Sequence, residues 1–232
     1  MAVINLTVPT SWTELSPKQL RYACFLLSSG HYDREQVAAL CLIRWSRMPS
    51  DMMESVKPGQ LAGFLPMMDW LFEIPASPVR LERIKDAEAF NALLRGLPFE
   101  QYLFIENQYQ GYIRMKDVRL IESMTQYLYG RPLKLDAAEA YSVFLWVASI
   151  KQLFSQRFPH FFVSAPVGEG HGETDVREQL RKSMNTQIRA LTKGDITKEK
   201  EILAMDVWRA LTELDAQAEE YEELKKQYSN AK

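Results

Sequence analysis

With 232 residues, 47 % of them hydrophobic and 25 % charged, the chain is long enough to bury a sizeable core and lies outside the composition of disordered proteins. Its formal net charge of -2 argues against a general nucleic-acid binder, which needs Lys and Arg clustered against phosphate. Cys24 and Cys41 fall in apolar helical patterns, at a spacing that suits neither a disulfide framework nor a metal site; both read as free thiols, and no cofactor or metal is expected.

The opening MAVINLTVPTSW has no basic segment leading into a long apolar core, so no signal peptide is expected. Ile4, Leu6 and Val8 alternate with polar residues until Pro9, which predicts one short strand. Its expected partner is HFFVSAPV near Phe162, making at most a small two-stranded β element in an otherwise mainly α fold.

The first helix is announced by Ser16 as cap, Pro17 in the first turn and Gln19 completing a capping box; Gly30 ends it. Leu20, Ala23, Cys24 and Leu27 make its apolar face. Asp33 with Gln36 repeats the capping logic for a second helix striped by Val37, Leu40, Cys41 and Trp45. Prolines at 49, 58, 66, 75 and 78 then keep any helix short, as in PMMDWLF. Further helices are expected over Asp86 to Arg95, from Pro98 through Tyr109, over Asp117 to Tyr129, and from Asp136 through Trp146 to Phe158. The last contains the longest apolar run, Ala140 to Ile150, which is too short to span a bilayer. No membrane association is expected, and the reducing chemistry implied by free thiols fits the cytoplasm.

SAPVGEGHGETD reads as the one long loop. The expected organisation is a helical body over 1–163, a linker over 164–175 and a C-terminal helical hairpin over 176–232. The hairpin turns at Lys193, Gly194 and Asp195, and a single helix is expected from Thr197 to about Tyr228.

Chemistry is hard to find. His31, His160 and His171 lack second ligands at metal spacing, and the acidic residues around His171 read as a solvated loop. GEGHGET has no following lysine, so it is not a phosphate loop. The aromatics Tyr102, Phe104, Tyr109 and Tyr112 suit core and rim better than base stacking, because few cations flank them. Glu106 shares their face and calls for a partner such as Arg114 or Arg119, or else for a place at the surface. No enzyme is expected.

The tail is more informative. Val207, Leu211, Leu214, Ala218 and Tyr221 recur at four and three, the spacing of a seam facing another helix. Arg177, Arg181, Lys182, Arg189 and Lys193 make the preceding segment basic, and glutamates make the last one acidic. A two-helix hairpin with such a stripe can dock a partner protein.

IRALTKGDITKEKEILAMDVWRALTELDAQAEEYEELKK resembles the C-terminal segment of tail assembly chaperones of long-tailed bacteriophages. PTSWTELSPKQLRYACFLL, LPFEQYLFIENQYQGYI and YSVFLWVASIKQLFSQRFPHFF resemble uncharacterised phage or prophage proteins of Bacteroides-type bacteria. The resemblance implies a cytoplasmic, non-enzymatic protein of the bacterial host cell that binds a tail protein, the tape measure or the tail tube subunit. It maps the turn onto Lys193, Gly194 and Asp195, and the partner-binding residues onto Ile202, Leu203, Val207, Leu211 and Leu214, with Ala218 and Tyr221 continuing the seam. The alternatives are a virion component such as a connector or baseplate protein, and a nucleic-acid-binding regulator using Arg177, Arg181, Lys182 and Arg189.

Overall fold

A computed structural model of the chain describes residues 8–46, 62–163 and 173–230. The fold is mainly α, and the described residues contain a single two-stranded antiparallel sheet. The chain divides into two compact units, Met1–Ala89 with Leu133–Ile150, and Phe90–Pro132 with Lys151–Lys232. This division cuts the chain at other places than 164–175, where the sequence suggested a linker. Most of that linker, including His171, lies outside the described residues, and its last residues already belong to the helix Glu173–Thr192.

The first unit begins with two capped helices. In α1 (Pro17–Ser29) and α2 (Arg34–Trp45) both expected capping boxes form, Ser16 with Gln19 and Asp33 with Gln36. Each box satisfies backbone N–H groups that a helix start leaves orphaned, and this fixes where the chain enters the helix. Leu20, Ala23, Cys24 and Leu26 of α1 are buried, as are Val37, Ala38, Cys41, Leu42 and Trp45 of α2. The PMMDWLF segment is a 3-10 helix, Leu65–Phe72, packed on α2. It carries Trp70, whose ring stacks on Trp45 at 6.2 Å and meets the edge of Trp12 at 5.5 Å. The Trp12 indole donates to the carbonyls of Trp70 at 3.0 Å and Glu73 at 3.1 Å, so the chain before α1 is held against this cluster.

The sheet among the described residues lies elsewhere than the sequence suggested. Of the expected strands, Ile4 and Leu6 and the residues after Val163 lie outside the described residues, and the described part near Phe162 is a short helix, Pro159–Val163. Its start is favoured by Pro159, and Phe162 N–H donates to Phe158 O at 3.2 Å. The strands are instead β1 (Arg83–Ile84) and β2 (Ala87–Glu88), pairing Arg83 with Glu88 and Ile84 with Ala87 around a turn in which Lys85 takes φ 55°. The helix expected over Asp86 to Arg95 is therefore absent. Asn91 Oδ1 accepts from Leu93 N–H at 2.9 Å, Phe90 N–H donates to Leu128 O at 2.7 Å, and Leu94 sits at φ 56°. A side-chain turn and a tertiary hydrogen bond thus take the place of the helical ladder.

In the second unit α3 (Phe99–Met115) packs on α4 (Val118–Leu128), with Lys116 in the left-handed region between them and Asp117 capping α4. The helix α5 (Ala137–Arg157) contributes its residues through Ile150 to the first unit and those from Lys151 to the second. After α6 (Pro159–Val163) come α7 (Glu173–Thr192), the short α8 (Glu199–Ala204) and α9 (Val207–Asn230). The core of this unit is aromatic: Phe154 meets Tyr102 at 5.5 Å and Trp208 at 5.2 Å, and Phe158 lies 5.8 Å from Trp208.

The long tail helix expected from Thr197 breaks at Met205 and Asp206. There the chain pairs with the segment before α3, with Phe99 N–H donating to Met205 O at 2.8 Å and Val207 N–H to Leu97 O at 2.9 Å. Asp206 then caps α9, its Oδ1 accepting from Trp208 N–H at 2.9 Å while Oδ2 takes Gly96 N–H at 2.6 Å.

Candidate functional site

Among the described residues no group of three or more His, Cys, Asp and Glu side chains is placed to hold a metal ion. Cys24 and Cys41 are buried and free, and burial pushes both thiols up to about 12. A thiol held protonated is a poor nucleophile, so neither cysteine is poised for chemistry.

Glu106 finds its partner in a different residue from those expected. Lys151 of α5 forms the ion pair with Glu106 Oε1, and Gln110 Nε2 donates to the same oxygen at 2.9 Å. Arg119 instead turns back on Asp117 and holds its carboxyl below the usual carboxylate range, chiefly by a side-chain hydrogen bond. The Lys151 ammonium also lies 5.4 Å from the centre of the Tyr109 ring. Tyr102 and Tyr109 are buried, and burial together with the Glu106 charge raises their phenols, that of Tyr109 to about 12. These aromatics fill the core. The sequence offered no signal that Lys151 would arrive here.

The turn and seam of the tail lie in the second unit. Lys193 and Gly194 take φ 53° and 81°, and both are exposed with Asp195. Asp195 Oδ1 accepts from Thr197 N–H at 3.0 Å and from the Thr197 hydroxyl at 2.6 Å, bonds that hold its carboxyl below the ordinary range. Ile196 follows, 79 % exposed. It lines two shallow hollows, one of about 290 Å³ with Ile188, Arg189 and Thr192 in its wall, the other of about 450 Å³ with Glu100, Lys200 and Leu203. Glu199 lines both. Neither Ile196 nor the paired hollows were singled out from sequence; the available signal was an isoleucine inserted directly after Gly-Asp in a polar turn.

The seam residues separate into two groups. Ile202, Val207, Leu211 and Leu214 are buried, and Leu203 and Ala218 are half-buried. Over this length α8 packs on α3 and α7, and α9 on α3, α6 and α7, within the unit, so the seam is covered by the chain itself. Tyr221, by contrast, is 69 % exposed and is followed by exposed Leu224 and Tyr228. The side of α9 that meets α6 is polar: Asp215 Oδ1 accepts from Phe161 N–H at 2.9 Å, and His160 lies 3.3 Å from Glu222 and 3.7 Å from Glu219. Arg181, Lys182 and Arg189 are exposed on α7, and the Arg177 side chain lies outside the described residues.

No helix among the described residues is long and apolar enough to cross a membrane. Comparison of the chain with protein-family models, with curated proteins and with solved structures gave no match.

Proposed function

We propose that the chain is a non-enzymatic tail assembly chaperone of a phage or prophage, which keeps a helical client such as the tape measure protein soluble in the cytoplasm of the host. The observation that carries the interaction part of this reading is Ile196, left 79 % exposed on a turn where it lines two hollows. Covering such a side chain is worth about 1.5–3 kcal/mol, and an apolar knob lining two hollows offers a client helix both an insertion and two recesses for its own side chains. The rim carries both signs, with Glu100 and Glu199 beside Arg189 and Lys200, which suits a client whose apolar stripe is bordered by mixed charge. The resemblance of the tail segment to tail assembly chaperones supplies the class of client.

The test is co-expression of the chain with a tape measure protein of its own gene cluster. The wild type should yield a soluble complex, and Ile196→Asp, at an exposed position where folding is spared, should release the client to aggregate. A client equally insoluble with and without the chain, together with recovery of the chain from purified particles, would replace the chaperone reading with a structural virion component. Salt-dependent DNA binding lost on Arg181→Glu would replace it with a regulator.

A further inference from the structure

The end of α9 leaves Tyr221, Leu224 and Tyr228 exposed at 69 %, 51 % and 75 %. Their spacing of three and four puts them on one stripe of the helix. Asp215, Glu219 and Glu222, which meet α6, lie on another side, so the unit's own packing leaves the stripe uncovered. Glu220 and Lys225, both exposed, border the stripe on its two flanks. In heptad terms Tyr221 and Tyr228 hold position a, Leu224 holds d, Glu220 holds g and Lys225 holds e.

We propose that this stripe is the seam of a parallel two-stranded coiled coil between this chain and a second copy of itself. Charge complementarity selects the occupant. In a parallel pair the g residue of one helix meets the next e residue of the other, so Glu220 of each copy faces Lys225 of its mate, and the two-fold axis makes the ion pair twice. An antiparallel pair would set Glu220 beside Gln227 and Lys225 beside Ala218, and would form neither. An unrelated helix would need matching charges at both registers, whereas a second copy carries them by construction. The seam is only three side chains deep, which makes the dimer weak and reversible. It is separate from the Ile196 surface and stands whether or not a client binds there.

Sedimentation velocity of the full chain from micromolar to millimolar concentration tests the assignment. A reversible monomer–dimer equilibrium is expected, with Glu220→Lys and Lys225→Glu each weakening it roughly tenfold, since each turns both ion pairs into repulsions. The double variant E220K/K225E should restore the wild-type affinity, and an equimolar mixture of the two single variants should associate more tightly than either alone. Tyr221→Glu with Tyr228→Glu should leave a monomer at every concentration. A wild type that stays monomeric throughout overturns the proposal, as does a dimer indifferent to the charge reversals or one that the double variant fails to restore.

Discussion

Arg21 Nη1 lies 3.1 Å from Glu139 Oε1, tying α1 to the first turn of α5. Glu139 is nearly buried, its side chain 7 % exposed, and its other oxygen accepts the Asp136 backbone N–H at 3.0 Å in a capping box. One carboxylate thus serves as cap and ion-pair partner together, and the hydrogen bond to it leads the causes that raise the Arg21 pKa. Arg21→Ala should cost about 1 kcal/mol, a modest figure because the guanidinium is half-exposed and screened. Glu139→Ala should cost about 1–2 kcal/mol by removing the cap as well. In urea titrations the double variant should lose less than the sum of the two, since both singles break the same contact. Strict additivity would mean that the pair contributes nothing.

Asp206 sets the break between α8 and α9. Its two oxygens serve different parts of the second unit, Oδ1 capping α9 at Trp208 and Oδ2 receiving Gly96 N–H. Asp206→Ala should lower stability by about 2 kcal/mol through both losses. Asp206→Asn, which keeps the cap and replaces the second acceptor by an amide, should fall between the two in thermal unfolding. An unchanged midpoint in the alanine variant would place the origin of the break elsewhere, in the pairing of Phe99 with Met205.

What the sequence made legible was local. The boxes Ser16–Gln19 and Asp33–Gln36 each spell a helix start within four residues, and both form; the helix expected from Asp136 starts there with a third box, Asp136–Glu139. The buried faces of α1 and α2 follow from the same periodicity only in part: Leu20, Ala23, Cys24, Val37, Cys41 and Trp45 are buried as expected, whereas Leu27 and Leu40 are half-buried and Leu26, Ala38 and Leu42 are buried as well. The stretch after Lys85 misled because its helical pattern is overridden at a distance: Phe90 N–H is claimed by Leu128 O, nearly forty residues on, and two-residue strands leave no alternation to read. The tail misled for a related reason, since a seam spaced at four and three is the same whether the chain or a partner covers it. Only packing separates buried Leu211 from exposed Tyr221 on that one stripe.

That separation has a measurable consequence. Leu211 and Leu214 are 0 % and 4 % exposed, so alanine at either should cost about 2–5 kcal/mol, cavity included. Aspartate at both should unfold the second unit, collapsing its part of the circular dichroism signal. Tyr221→Ala and Tyr228→Ala should leave the thermal midpoint of the dilute protein within a degree or two of the wild type, because exposed substitutions away from packing sites change stability little. A cooperative loss on either tyrosine substitution would show that α9 is packed along its whole length.

The buried thiols give the pH prediction. Cys24 and Cys41 are buried on α1 and α2, which pack together, and burial raises both to about 12. Below the ordinary thiol value of about 8.5 they are protonated whether the chain is folded or not, and they add no pH dependence. Above it the unfolded chain gains by ionising them while the folded chain does not. Stability should therefore fall as pH rises from about 8.5 towards 12, by up to about 1.4 kcal/mol per pH unit for each thiol. Replacing both cysteines by alanine should flatten the loss between about pH 8.5 and 9, before the unfolded-state tyrosines, half-ionised at about 10, add their own. A thiol reagent at pH 8 should find neither cysteine in the native protein and both in urea. Rapid native labelling would mean that α1 and α2 part locally far more often than the unit unfolds, and the alkaline loss would then be correspondingly shallow.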